Sequence, residues 1–262
     1  MAAALAPAIL QAKRRVPVAL ELYSIRQECQ KDLPGTLTAV AKMGYDGVEF
    51  AGYYGRSAQE LRKMLDDLKL KAFSTHLGIK TLLGDELEKT IEFNKILGNP
   101  RLTVASLPAT KTIQPWYDHA KQFNEIAGKL KKHKMRVGFH NHAYELDLIE
   151  GKRPWDVFLD NTSKEVTMQM HMQHFPAHKL DPVDYIKRYR GRSRLVHLND
   201  HSPDKRRILL GDGTIEWKKV FNAFETVGGL ECYIIEQESY PEPLTPMQCV
   251  DQCLQNFRKL HG

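Results

Sequence analysis

Short, almost wholly apolar runs alternate along this chain with stretches whose apolar residues recur three and four positions apart. The first rhythm reads as strands buried on both faces, the second as amphipathic helices. Strands are predicted at 16–23, 47–50, 71–76, 101–105, 135–140, 166–171, 194–198 and 232–236. Helices are predicted between and after them, at 34–43, 58–68, 85–97, 115–132, 154–159, 182–189, 215–227 and 246–260. Their ends carry recognisable chemistry. Ser57 followed by Glu60 is a capping box, Asp181 is an N-cap, and Gly44, Gly98 and Gly228-Gly229 are stops.

Eight strands alternating with eight helices, with no low-complexity linker, predict a single (β/α)8 TIM barrel over residues 16–262. The competing architecture, an open doubly wound sheet, needs a crevice where the strand order switches. Residues 1–15 fall outside the rhythm. They are Ala-rich and end in Lys13-Arg14-Arg15, and they read as a loose arm or as the remnant of an export signal.

The strand ends decide where chemistry can sit. Glu145, His171, His197 and Glu236 each fall at or just beyond the end of a different predicted strand, spaced by 26, 26 and 39 residues. Residues so far apart meet only if the fold gathers strand ends, and a closed barrel gathers them at one mouth. Two carboxylates and two imidazoles there can hold one divalent cation. For each, the plain structural alternative is a buried ion pair or a hydrogen-bonded core histidine. His140 and His142 lie on one side of an extended segment, and His174 completes an HxxH spacing with His171. His76, Glu49 and Glu21, near the ends of strands three, two and one, are candidates for binding hydroxyls. Tyr53, Tyr54 and Trp116 are candidates for an apolar wall against a sugar ring.

Composition narrows the rest. Lys and Arg exceed Asp and Glu by only 6 in 262 residues, and the densest basic run, Lys129 to Arg136, sits where a helix should end. Without interleaved aromatics it makes no nucleic-acid platform. No apolar run approaches the ~18 residues that span a bilayer. Cys29, Cys232, Cys249 and Cys253 form no CxxC pair and read as reduced, buried thiols of a cytoplasmic protein.

Several segments together resemble a known family, the xylose isomerase-like barrels, and within it the sugar phosphate isomerases and epimerases. They are Ala19-Leu-Glu-Leu-Tyr-Ser-Ile-Arg26, Gly44-Tyr-Asp-Gly-Val-Glu-Phe-Ala-Gly52, Phe139-His-Asn-His-Ala-Tyr-Glu145, Val196-His-Leu-Asn-Asp200, Gly211-Asp-Gly-Thr-Ile215 and Ile234-Ile-Glu-Gln-Glu238. The resemblance implies one divalent metal held by Glu, Asp, His and Glu, with Glu145, His197 and Glu236 matching three of these positions. At the fourth, His171 stands where relatives usually carry Asp, and Asn199 stands where close relatives carry Lys. The exchange of Asp for His removes a negative charge and shifts the expected ion toward zinc, cobalt or nickel, with manganese, common in relatives, still open.

The reaction so implied is isomerisation or epimerisation of a sugar or keto-sugar through a metal-stabilised enediolate. Glu145 and Glu236 would act as acid and base, and His174 would be a further catalytic contact. His140, His142, His76 and Glu49 would bind substrate. The nearest alternatives are a lyase or dehydratase acting on a keto-sugar or keto-glycoside, and a sugar-binding barrel disabled by His171. Abasic-site endonucleases share the barrel, but they need a multi-metal cluster and a basic groove. The expected partners are a small-molecule sugar and further copies of the chain, not nucleic acid or membrane.

Overall fold

A computed structural model describes residues 15–262. The expected arm at 1–15 lies outside the described residues except for Arg15, whose guanidinium pairs with Asp46 at 3.0 Å. Eight parallel strands close into one barrel in sequence order: β1 (Val18–Glu21), β2 (Gly47–Ala51), β3 (Lys71–Leu77), β4 (Arg101–Val104), β5 (Arg136–His140), β6 (Thr167–His171), β7 (Leu195–Leu198) and β8 (Cys232–Ile235). β1 pairs with β8 through Ala19–Ile234, which completes the closure.

The predicted first strand runs too long. Glu21 turns its carboxylate back to accept from Tyr23 N, and the chain enters a 3-10 turn at Leu22–Ile25 and a short helix at Arg26–Lys31. A one-turn helix at His174–Ala177 also replaces an expected loop. The capping box at Ser57 forms as predicted, and Gly44 and Gly98 end their helices with positive φ.

Outward-facing strand residues pack under the helices. Phe139 lies against Trp116, Phe123, Trp155 and Phe158, with Phe123 and Phe158 edge-to-face at 4.8 Å. Inside the barrel, Ala19, Phe73, Leu195, Cys232 and Ile234 form a small separate apolar cluster. Gly138 keeps that interior narrow: a Cβ there would lie 2.7 Å from Thr167 Oγ1. Beneath, Arg101 and Arg194 both engage the Glu231 carboxylate and close the N-terminal end of the barrel. Among the described residues no helix is long and apolar enough to cross a membrane, and all four cysteines are free and buried.

Candidate functional site

Side chains two apart on a strand share a face. Two positions beyond Ala19, Gly47, Gly138, Thr167, Leu195 and Ile234 stand Glu21, Glu49, His140, Gln169, His197 and Glu236. All six are buried. The upper interior of this barrel is therefore polar and dense with titratable groups, and its hydrogen bonds must be made among themselves.

His140, His171, His197 and Glu236 form the first group, with one ligand-capable atom from each within 4.8 Å of all the others. Glu236 Oε2 lies 2.7 Å from His197 Nδ1 and 3.0 Å from His171 Nδ1, and His140 Nε2 lies 3.3 Å from His171 Nδ1. Gln169 organises the next shell of contacts. Its amide nitrogen donates to both Glu49 oxygens at 2.9 and 3.1 Å, and its oxygen faces His76 Nε2 at 2.8 Å and His140 Nδ1 at 3.1 Å. Because that oxygen only accepts, His140 carries its proton on Nδ1 and presents a bare Nε2 to the group. Glu49 Oε2 also meets His197 Nε2 at 2.5 Å, so His197 bridges two carboxylates.

Charge states follow from this packing. Burial opposes a charged His197, but Glu236 and Glu49 on either side outweigh it and raise its pKa to about 10. Burial likewise opposes charge on the two carboxylates. His76 and His197 nonetheless hold Glu49 down to about 2, and His197 with His171 holds Glu236 well below the usual range. Burial and then the charges of Glu49 and Glu236 push Glu21 well up, so it is the protonated member. Burial, reinforced by neighbouring imidazoles, lowers His140 well below the ordinary range, His142 to about 4 and His174 to about 2, leaving them neutral.

The first group fits a divalent metal. Bonds of about 2.0–2.1 Å in a tetrahedral site separate the ligands by roughly 3.3 Å, and the three contacts within the group run from 2.7 to 3.3 Å. His197 and Glu236 were predicted from the sequence and are here, as is His171. The fourth member of this group is not the residue the sequence singled out. Glu145, predicted as a metal ligand and as an acid or base, does not reach the group: its Oε2 accepts from His142 N at 2.8 Å and its Oε1 is buried without a partner. His140, expected as a substrate contact, takes its place because β5 ends there with its side chain pointing inward, whereas Glu145 lies five residues beyond, in a turn.

Two cavities open over this layer, and Glu236 and Glu238 line both. One, of about 440 Å³, is also lined by His76, His140 and His142. The other, of about 400 Å³, lies under the loop after β7, against Asn199, His201, Lys205 and Arg206. His174, expected as a catalytic contact, is stacked on His171 at 4.2 Å. Glu49, expected to bind substrate, is buried with its oxygens held by Gln169 and His197. The expected aromatic wall is absent from these cavities: Trp116 is fully buried in the core, and Tyr53 stacks on Phe93 at 4.1 Å. Sequence reading missed Gln169, although it points inward two residues before His171. It also missed Asn141, whose side chain accepts from His171 N at 3.0 Å, and Glu238, whose pKa is raised by burial and by Glu236.

A closed parallel barrel with a histidine- and glutamate-rich mouth on its last four strands defines a class of metal-capable TIM barrels. The chain belongs to the xylose isomerase-like TIM barrel family, whose pattern it matches over residues 37–256. No curated protein matches it. Its fold is similar to a solved sugar phosphate isomerase/epimerase from Parabacteroides distasonis (24% identity, 97% of this chain and 96% of that one covered, TM-score 0.78). It is also similar to a second protein of that description from the same organism (23%, 94% and 98%, TM-score 0.81). A third likeness is to the IOLI protein, solved with a bound zinc atom (14%, 93% and 97%, TM-score 0.74).

Proposed function

We propose that this chain is a divalent-metal-dependent isomerase or epimerase of a sugar or keto-sugar. The observation that carries the reading is the convergence of three imidazoles and one carboxylate from β5 to β8 beside a cavity of about 440 Å³. Family membership and the named activities of the Parabacteroides distasonis neighbours support it. His140, His171, His197 and Glu236 would hold the ion. A divalent ion so held supplies Lewis acidity, which polarises a carbonyl and makes the neighbouring C–H bond acidic.

The chain's own groups account for proton movement. Glu236, kept ionised by His197 and His171, is the acceptor on one wall of the cavity. Glu238 shares that wall, its pKa raised by burial and then by Glu236, which suits it to relay the proton taken up there. His142, neutral and lining the same cavity, is a second acceptor, contributed by the segment after β5. Proton removal on one face with return on the other epimerises; return to the adjacent carbon isomerises.

One observation favours the lyase reading. The first group contains a single carboxylate, so exchange between two matched carboxylates across the ion has no counterpart. One base, with expulsion of a leaving group next to the acidic carbon, suffices for elimination from a keto-glycoside.

The test is deuterium uptake from solvent by a panel of ketoses and keto-glycosides with zinc, cobalt or manganese. Label entering next to a carbonyl with the sugar recovered supports isomerase chemistry, and label with loss of the aglycone supports the lyase. Glu236→Gln should lower exchange by about 10²–10⁴-fold. Full exchange in that variant, or none with any substrate in the wild type, overturns the proposal.

A further inference from the structure

We infer that the barrel holds a second site for a divalent cation, built from Glu21, Glu49, His76 and His197 on β1, β2, β3 and β7, which competes with the first for His197. Its other three ligands stand on β1, β2 and β3, and it does not depend on the reaction proposed above.

The four residues each bring a ligand-capable atom within 4.8 Å of the others. Glu49 Oε2 lies 2.5 Å from His197 Nε2 and 3.7 Å from His76 Nε2. Glu21 is fully buried, Tyr23 N takes its Oε1, and its carboxyl is hydrogen-bonded to that of Glu49. Two carboxyls in contact beside two imidazoles, all withdrawn from bulk water, are a donor set that a divalent cation satisfies. Ligation through Nε2 of His76 replaces its bond to Gln169, whose oxygen keeps His140.

His197 makes the two sites exclusive. A neutral imidazole offers one lone pair. With an ion on Nδ1, the Nε2–H donates to Glu49; with an ion on Nε2, the Nδ1–H donates to Glu236 at 2.7 Å. Each site thus supplies the orienting carboxylate of the other. Their chemistry differs as well. Three imidazoles and one carboxylate suit zinc, cobalt or nickel, whereas two carboxylates and two imidazoles neutralise a divalent charge and suit manganese.

The experiment titrates the full chain with Mn²⁺, followed by electron paramagnetic resonance, and with Zn²⁺, followed by competition with a chromogenic chelator. One Mn²⁺ per chain is expected. Glu21→Gln and His76→Gln should weaken Mn²⁺ binding at least ~10-fold and change Zn²⁺ binding by less than ~2-fold, and His171→Ala should do the reverse. Mn²⁺ binding lost in His171→Ala but kept in Glu21→Gln overturns the inference, as do two ions bound to one chain at once. Should the interior variants fail to fold, anomalous scattering from wild-type crystals soaked in Mn²⁺ decides. A peak between Glu21 and His197 supports the second site; a peak at His171, or none, refutes it.

Discussion

Asn199 lays its side-chain amide against Nε2 of His171, joining two positions where the sequence resemblance leads one to expect Lys and Asp. The amide's orientation is fixed from the other side, because Asn199 Oδ1 accepts from Gln173 N at 3.0 Å. Its NH₂ therefore faces the ring, and His171 keeps its proton on Nδ1, toward Glu236. Metal ligation through Nδ1 requires that proton to leave and Nε2 to gain one opposite a donor.

Asn199→Asp removes that conflict. A carboxylate can accept from Gln173 N with one oxygen and from His171 Nε2–H with the other, and such a carboxylate–histidine pair strengthens metal ligation. Zinc affinity, read by chelator competition, should rise about 10-fold or more. Unchanged or weaker binding would mean that the His171 tautomer does not limit the site.

His140 and Glu145 exchange roles relative to the sequence pattern, and two substitutions separate them. His140→Leu should lower zinc affinity about 10–100-fold, the scale of losing one orienting or ligating partner. Glu145→Gln should leave it within about 2-fold, since its carboxylate is engaged by His142 N, away from the group. The opposite ranking would restore Glu145 as the ligand.

Glu145 should instead be visible in stability. Burial, only partly opposed by the His142 N–H, pushes its pKa up to about 7. A carboxyl with a raised folded pKa is favoured while protonated; its contribution is greatest below the ordinary value of 4.5 and falls as the pH rises through about 7. Glu145→Gln keeps an acceptor for His142 N and removes the ionisation. Urea denaturation should find the variant more stable by roughly 1–3 kcal/mol at pH 8 and little changed at pH 5. Equal stability at both pH values would contradict the buried placement.

Gln169→Leu tests the hub of the upper layer. It leaves Glu49 without its amide donor and His76 and His140 without a shared acceptor. The cost should be about 1–3 kcal/mol in thermal or urea unfolding, the penalty for stranded buried polar groups. A neutral result would mean that water satisfies these groups without Gln169.

The barrel was legible because its two periods are strong. Strands buried on both faces read as unbroken apolar runs, and Ser57-Glu60, Gly44 and Gly98 punctuate the helices by local chemistry. His171, His197 and Glu236 were legible for the same reason: a polar residue ending an apolar strand has few places to go. The place of Glu145 outside the group was not legible, because a motif gives order along the chain but not the point where a strand stops turning its side chains inward. His140 is on the last residue of β5, and the turn beyond it carries Glu145 away. Gln169 and Glu21 were obscured by pairing. Their meaning lies in Glu49 and His197, more than a hundred residues distant from one or the other, and no local pattern connects them.

The clasp of Arg101 and Arg194 on Glu231, with the apolar cluster above it, gives the chamber a floor. If the proposed function holds, an ion bound in the upper layer shares its rim with the sugar. Under the proposed chemistry, order of arrival then matters: an ion that settles first is roofed over by the substrate that follows, and it stays until that substrate, or what has become of it, departs.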